Sequence, residues 1–201
     1  ADGVGTIPFM WTMSNADGTP MAQPPRWGLA RDRVRHVGEA VAIVIADSAA
    51  QAQDAADSIG IDYVPLEAVT GAKEALADGA PQLHDEAPGN KIYSWGRGDA
   101  DAAEKAIADA PHSVTLELIN NRISCAALET RACLAVPDPA GGTTTFYDAT
   151  QAPHLIRKSI TDALGIPPGE VRVVAPDVGG GFGTKGKHYP EETILVWACR
   201  R

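Results

Sequence analysis

The chain has 201 residues, of which 44% are apolar and 21% charged, as expected for a globular protein with one large or two small domains. Its formal net charge of −9 argues against nucleic acid and anionic membrane surfaces as partners. No apolar run in the sequence is long enough to insert into a membrane as a helix.

The three cysteines, Cys125, Cys133 and Cys199, are odd in number and lack C-x-x-C spacing. This pattern argues against a disulfide framework and against a zinc or iron–sulfur site in this chain. The cysteine pattern therefore favours a reducing cytoplasm as the location. The N-terminus lacks the basic region and apolar core of a signal peptide. Because the chain has no initiator Met and stops just after the apolar run 194–198, we expect it to be a fragment.

The first 75 residues predict a small α/β unit. Residues 1–35 are rich in Gly, Pro and Met, which favours extended or loop structure. The continuous apolar run 41–46 predicts a buried strand. Ser48 then opens a capping box before alanines at helical spacing, and Gly60 is expected to end that helix. The run 61–64 predicts a second strand, which a proline ends.

Residues 70–95 contain several Gly and Pro residues and predict an irregular connection. A further amphipathic helix is expected over 102–110, because alanine and isoleucine recur there at helical spacing. Val, Leu and Leu then alternate with polar residues over 114–118, which predicts a strand.

A hairpin is expected next, because apolar runs at 133–136 and 143–147 flank the turn-rich sequence PDPAGG. Thr150 is the predicted N-cap of the following helix. Gly165 is expected to end this helix, since glycine readily adopts the left-handed conformation of a helix C-terminus.

The loop after the predicted strand 171–174 contains the most informative motif, GGGFG at 179–183. Closely spaced glycines let the backbone approach a ligand and present its N–H groups without interference from Cβ atoms. The single aromatic ring of Phe182 would wall one side of a planar or small ligand, and a helix is expected from Glu191. We therefore predict that this loop holds a cofactor.

Two phosphate-binding patterns overlap the same loop. Residues 181–186 fit G-x-G-x-x-G, so an NAD(P)-dependent dehydrogenase is an alternative function, although nothing upstream resembles the start of a Rossmann unit. Residues 181–187 also fit G-x-x-x-x-G-K, but His188 stands where Ser or Thr would contact Mg²⁺. A glycine-rich turn without a ligand is the third alternative.

Three segments, in this order along the chain, resemble the large subunit of the molybdenum hydroxylases, the family of xanthine dehydrogenase, aldehyde oxidase and aerobic carbon monoxide dehydrogenase. Residues 35–46 (RHVGEAVAIVIA), with the capped helix and IDYVPLEAV behind them, resemble the α/β hammerhead domain. The second segment joins LETRACLA (128–135) to YDATQAPH (147–154). The third is APDVGGGFGTKG (175–186), followed by YPEE.

The resemblance implies an α/β (α+β) fold with a hammerhead-like domain in residues 1–75, a connecting segment in 76–98 and the truncated first part of a molybdopterin-binding domain in 99–201. It implies a molybdenum–pterin cofactor, which often carries a cytosine dinucleotide in this family. The implied partners are 2Fe-2S and FAD subunits or domains and the remainder of the large subunit. The implied reaction is hydroxylation of an aldehyde, an N-heteroaromatic ring or a similar small molecule with oxygen derived from water.

By motif position, the resemblance assigns cofactor binding to Gly180, Gly181, Phe182 and Gly183, beside the oxo group of the metal. Phe182 and Gln151 are assigned to the substrate pocket. No catalytic or metal-ligating residue is assigned within this chain, because the catalytic Glu of the family is expected beyond residue 201. The 201-residue chain alone is therefore expected to be inactive.

Two positions depart from known members of the family. Gly186 stands where xanthine dehydrogenases have Glu shortly after the loop, which argues against purine recognition by that residue. Ala132 stands where carbon monoxide dehydrogenases have a Gln near the metal, so carbon monoxide oxidation is an alternative rather than the main expectation. A degenerate large subunit that acts as a non-catalytic interaction module is a further alternative.

Four other polar residues near the motifs have ordinary structural explanations. Glu129 is expected in a salt bridge with Arg131 or another basic group, or as a functional carboxylate. Lys185 is expected to face either a pterin phosphate or solvent. His154 is expected to be a surface or packing residue. Cys125 is expected to be buried as a packing residue.

Overall fold

The computed structural model describes residues 4–201, in which five α-helices and three strands are present. The helices are α1 (Ala49–Asp57), α2 (Ala72–Ala75), α3 (Ala100–Ala108), α4 (Pro153–Leu164) and α5 (Pro190–Cys199). The strands are β1 (Cys133–Pro137), β2 (Thr144–Asp148) and β3 (Val171–Val174), and short 3₁₀ turns occur at Pro88–Asn90, Pro168–Glu170 and Thr184–Gly186. The expected α/β (α+β) class is confirmed.

The three strands form one sheet in the order β1-β2-β3. The first two are an antiparallel hairpin in which Cys133 pairs with Asp148, as the sequence predicts. The third pairs in parallel with β2, starting with Thr144 opposite Val171. A parallel neighbour requires a crossover connection, and α4 lies in that connection. Gly165 ends α4 in the left-handed conformation, with φ of 65°, as expected.

One hydrophobic cluster holds the sheet against α4 and α5. Its fully buried members come from the sheet (Phe146 and Val171), from α4 (Ile156 and Ile160) and from α5 (Val196). Burial of this much apolar surface is the dominant favourable contribution to folding. The cluster therefore fixes the position of the segments that leave the ends of β2 and β3.

The predicted strands at 41–46, 61–64 and 114–118 are wrong, because none of these segments is a strand in the structure. Their apolar side chains are largely exposed: 67% for Ile45, 85% for Val64 and 82% for Leu118. An extended segment becomes a strand only where a second backbone supplies hydrogen-bond partners, and within residues 4–201 no backbone hydrogen bond joins any of these segments to another.

The predicted helices of the same region are confirmed. Ser48 caps α1 by accepting a hydrogen bond from the N–H of Gln51, although the helix ends at Ser58, before the expected Gly60. Asp99 caps α3 in the same way. Neither helix has a buried residue, so local hydrogen bonds and caps maintain both. Residues 4–35 have no helix or strand, as predicted for 1–35, and residues 1–3 lie outside the described part.

Candidate functional site

The glycine-rich loop at 179–183 leaves the end of β3 and makes a sharp, strained turn. Gly180 and Gly183 have φ values of 97° and 85°, which glycine tolerates because it has no Cβ atom. Phe182 lies between them with φ of 47°, a conformation that side chains other than glycine rarely adopt. Such strain persists only where surrounding contacts enforce it, and it is concentrated at functional sites.

Glu129 holds the start of the loop. Its carboxylate oxygen Oε2 accepts a hydrogen bond of 2.8 Å from the Gly179 N–H and one of 2.5 Å from Nζ of Lys185. The hydrogen bond from Lys185, and then that from Gly179, keep the pKa of Glu129 below its usual value. The expected salt bridge thus forms with Lys185 rather than with Arg131.

Lys185 itself is buried, with only 3% of its surface exposed. The expectation that Lys185 faces solvent is wrong, because its ammonium group pairs with the Glu129 carboxylate, whereas contact with a pterin phosphate stays a prediction. A charged group is stable at such a position only when it is paired, which explains why the two residues occur together.

Gln151 holds the other end of the loop. Its side-chain oxygen accepts a hydrogen bond of 3.0 Å from the Gly183 N–H. The backbone N–H of Gln151 and the hydroxyl of Thr150 both donate to the carbonyl of Lys185, at 2.9 and 3.0 Å. Thr150 also accepts from the N–H of Ala152, which is the actual N-cap of α4, two residues later than predicted.

Tyr189 supports the loop from the side of α5. Its hydroxyl donates a hydrogen bond of 2.8 Å to the carbonyl of Thr184. The guanidinium of Arg131 stacks on the Tyr189 ring, 3.5 Å from its centroid, and pairs with Glu191. These contacts fix the orientation of the tyrosine ring, so the loop is braced on both sides.

The ring of Phe182 lies over Gly180 and remains 72% exposed. A Cβ atom on Gly180 would lie 2.8 Å from the ring and 3.3 Å from Cβ of Ala127, so only glycine leaves room for this packing. Cys125, which is half-buried rather than buried, donates from its thiol to the Phe182 carbonyl at 3.3 Å. The ring therefore has one packed face and much of its surface open.

Two adjacent backbone donors at the tip of the loop are unused. The N–H groups of Gly181 and Phe182 donate to no acceptor within residues 4–201, whereas those of Gly179, Gly180, Gly183 and Thr184 all have partners. Consecutive free N–H groups in a turn form a concave site for an anionic or electron-rich acceptor. The loop therefore fits a cofactor that offers an acceptor atom beside the aromatic ring.

A buried polar layer between the sheet and α5 was not anticipated from the sequence. It contains His188, Glu192 and Asp148, which are each at most 6% exposed. The imidazole Nε2 of His188 lies 2.8 Å from the hydroxyl of Thr193, and Glu192 accepts a hydrogen bond from the N–H of Tyr189. Glu191 and Glu192 in the first turn of α5 suit the positive end of the helix dipole. This effect does not require that Glu192 be buried.

Burial strongly shifts the acid–base equilibria of this layer. It raises the pKa of Glu192 to about 8, and Asp148 adds electrostatic repulsion. It raises the pKa of Asp148 to about 6 and lowers that of His188 to about 4. At neutral pH the preferred state of the layer therefore has Glu192 protonated and His188 neutral.

A test of the buried layer follows from these shifts. Glu192 has a raised pKa in the folded protein, so its contribution to stability is complete below pH 4.5 and is lost as pH rises through about 8. Ionisation of Asp148 also lowers the free energy of unfolding as pH rises, but only below about pH 6. Deprotonation of His188 raises it as pH rises between about 4 and 6.5. The interval from pH 6.5 to 9 therefore separates Glu192 from Asp148 and His188.

We expect the free energy of unfolding of the unmodified protein to fall by about 1–3 kcal/mol across that interval, the usual cost of a buried group left unsatisfied. Glu192→Gln should remove most of the fall, because glutamine does not ionise. Urea denaturation at pH 6.5 and 9 measures the effect, and Glu170→Gln, which removes the carboxylate of the ion pair with Arg200, serves as the matched control. An equal fall in the Glu192→Gln protein would contradict the assignment.

Neither a metal-ligand cluster nor a membrane span is present in the described part of the chain. Within residues 4–201, no group of three or more His, Cys, Asp and Glu side chains could hold a metal ion. In the same residues, no helix is long and apolar enough to cross a bilayer.

Two family models match the chain. The molybdopterin cofactor-binding domain matches residues 83–201, and the aldehyde oxidase and xanthine dehydrogenase a/b hammerhead domain matches residues 10–67. The first match covers the glycine-rich loop and all of its supporting residues. The α1 region lies in the second.

Relatives with named activities match the same part of the chain. The chain is 37% identical over 182 residues to the carbon monoxide dehydrogenase large chain of Hydrogenophaga pseudoflava, covering 85% of this chain and 23% of that protein. It is 34% identical over 172 residues to the nicotine 6-hydroxylase large subunit of Paenarthrobacter nicotinovorans, covering 86% and 21%. The chain thus spans less than a quarter of the length of these relatives.

A solved structure also matches. Quinoline 2-oxidoreductase from Pseudomonas putida 86 superimposes with a TM-score of 0.74 and 34% identity, over 87% of this chain and 22% of that chain. The two matched models occur in the order hammerhead domain, then molybdopterin-binding domain, and the glycine-rich loop lies within the second. The chain belongs to the molybdopterin-binding large subunits of the xanthine dehydrogenase, aldehyde oxidase and carbon monoxide dehydrogenase family.

Proposed function

We propose that this chain is part of an oxidoreductase that hydroxylates an aldehyde, an N-heteroaromatic ring or a similar small molecule with oxygen derived from water. The observation that carries the proposal is the pair of free N–H groups of Gly181 and Phe182 on a braced loop, in a chain of this family. We further propose that electrons pass to 2Fe-2S and FAD groups on partner subunits or domains. The proposed domain organisation is a hammerhead domain in residues 1–75, a connecting segment in 76–98 and the first part of the molybdopterin-binding domain in 99–201.

The residues of the loop would position the cofactor. When bound, the molybdenum–pterin group supplies the two-electron oxidation chemistry that no side chain here can perform. Gly181 and Phe182 would donate hydrogen bonds from their backbone to an acceptor atom of that group. Gly180 and Gly183 would complete the binding loop, whose turn requires their positive φ values.

Phe182 and Gln151 would shape the substrate pocket. The open surface of the Phe182 ring offers an apolar contact for a planar molecule, and such contacts favour aromatic or aldehyde substrates over ions. Gln151 is exposed, but its side-chain oxygen is engaged by Gly183, so its amide N–H₂ group is the part that faces a ligand.

Carbon monoxide oxidation is the second candidate. It is favoured by the 37% identity to a carbon monoxide dehydrogenase large chain. It is opposed by Ala132, which has no polar group to place near a metal. Comparison of carbon monoxide with aldehydes and N-heteroaromatic compounds as substrates would distinguish the two candidates.

We expect the 201-residue chain alone to be inactive. The carboxylate that contacts the loop, Glu129, is held by Lys185 and Gly179 and cannot act as a free general base. The carboxyl groups of Asp148 and Glu192 are buried. Turnover of any candidate substrate by the purified chain with an artificial electron acceptor would contradict this expectation.

Molybdenum content tests the main proposal. The complete protein, purified with any subunits that accompany it, should contain molybdenum in near-stoichiometric amount by elemental mass spectrometry. It should also oxidise at least one aldehyde or N-heteroaromatic compound with an artificial acceptor. Absence of molybdenum would favour a non-catalytic interaction module, and tight binding of NAD(P) without molybdenum would favour the dinucleotide-dependent alternative.

A further inference from the structure

One carboxylate oxygen connects both ends of the cofactor loop. Oε2 of Glu129 accepts from the N–H of Gly179, where the loop begins, and from Nζ of Lys185, two residues after the loop ends. The backbone N–H of Glu129 also donates to the carbonyl of Gly179 at 3.3 Å. Glu129 lies 50 residues before Gly179, so this connection exists only in the folded chain.

The fit between Glu129 and the loop requires glycine. A Cβ atom on Gly179 would lie 2.7 Å from Cβ of Glu129, closer than such atoms approach in proteins. No side chain other than hydrogen can therefore occupy position 179 while the hydrogen bond is present. The close approach indicates a built contact rather than a chance encounter of an exposed acid with a loop.

Lys185 converts this contact into a constraint on the whole loop. Its side chain is 2% exposed and pairs with Glu129, while its carbonyl accepts from Thr150 and Gln151 at the start of α4. Gln151 in turn accepts from Gly183. Loss of the Glu129 charge would leave a buried ammonium without its partner, and the ammonium could reach water only by displacing these hydrogen bonds.

We propose that Glu129 is a positioning residue, which acts through Lys185 and Gly179 to hold the free N–H groups of Gly181 and Phe182 in the orientation that receives the cofactor. The role of the loop in binding rests on the proposed function, whereas its immobilisation by Glu129 does not. Glu129 itself does not contact the cofactor in this proposal.

The test is the protection of two amides that Glu129 does not contact. Gly183 and Thr184 donate their N–H groups to Gln151 and Gly181, respectively. Glu129→Gln keeps an acceptor for Gly179 but leaves Lys185 unpaired. We expect hydrogen exchange at Gly183 and Thr184 to become about tenfold faster, as for local opening, with the global unfolding midpoint little changed.

A second variant and a control make this result specific. The double variant Glu129→Gln with Lys185→Met removes both charges and should restore most of the protection, since no buried charge remains unpaired. Glu170→Gln breaks the ion pair with Arg200, which has the same length and a carboxylate of similar exposure (35% against 38%), but whose cation is 27% exposed and makes no contact with the loop. This control should exchange like the unmodified protein at both amides.

Molybdenum content and steady-state kinetics of the complete protein complete the design. Glu129→Gln should lower molybdenum content, and the double variant should recover it in parallel with amide protection. Unchanged exchange in Glu129→Gln would overturn the proposal, as would an equal effect of Glu170→Gln. Molybdenum loss without faster exchange would also overturn it, because Glu129 would then act on the cofactor directly. If no variant, including the unmodified protein, contains molybdenum, the proposed function fails while the exchange data still decide the role of Glu129.

Discussion

Replacement of Gly181 with alanine is expected to lower the molybdenum content of the complete protein by about tenfold or more. A Cβ atom at this position would lie 2.5 Å from Oε1 and 2.6 Å from Cγ of Gln151, so the glutamine would have to move. Its hydrogen bond with Gly183 would then be lost. Overpacking of this kind costs about 1–3 kcal/mol, which corresponds to roughly a 5- to 150-fold weaker binding constant for the cofactor and to a matching loss of occupancy where binding is not saturated.

Gly186→Ala is the matched control for this prediction. It lies in the same segment, its φ is not positive, and a Cβ atom there would be 3.8 Å from Oε1 of Gln151, an ordinary contact. Its molybdenum content should match that of the unmodified protein, as measured by elemental mass spectrometry on samples of equal purity. Full occupancy in Gly181→Ala would mean that the loop does not bind the cofactor in this conformation.

Phe146→Ala is expected to reduce the free energy of unfolding by about 3–5 kcal/mol, the range for deleting a buried aromatic ring. Phe146 is fully buried at the centre of β2, where it contacts residues from α4 and β3 in the core cluster. Most domains have a total stability of only about 5–15 kcal/mol, so this loss is a large fraction of it. Equilibrium denaturation in urea measures the change.

Tyr147→Ala is the control for the core variant. Tyr147 is the next residue along β2, and because strand side chains alternate between faces, it points away from the cluster and is 42% exposed. Its replacement should cost no more than about 1 kcal/mol, typical of the packing of a partly exposed residue in a sheet. Similar losses for the two variants would show that the cluster is not the main source of stability.

The helices could be predicted from the sequence and several strands could not, for one physical reason. A helix satisfies its hydrogen bonds within its own segment, so Ser48 and Asp99 as caps suffice for α1 and α3, which have no buried residue. A strand depends on a second backbone. The apolar runs at 41–46, 61–64 and 114–118 have the composition of strands but no partner within residues 4–201.

The hairpin of β1 and β2 was predictable because its turn lies between its two strands in the sequence. Asp138 closes that turn by accepting from the N–H of Ala140 and the hydroxyl of Thr143. Gly141 and Gly142 supply the positive φ values that the turn requires. Both strands and their connection are thus specified within 16 consecutive residues.

The sequence alone determined the glycine-rich loop, its single aromatic residue and the family to which the chain belongs. Only the tertiary structure decided which groups the loop uses internally and which remain free. It turned Lys185 inward to Glu129, engaged the oxygen of Gln151 with Gly183, and buried Glu192 in a layer that the helix pattern did not reveal. The first two outcomes depend on contacts between residues 56 and 32 positions apart, and the pairing of distant charges and hydrogen bonds depends on packing rather than on local pattern.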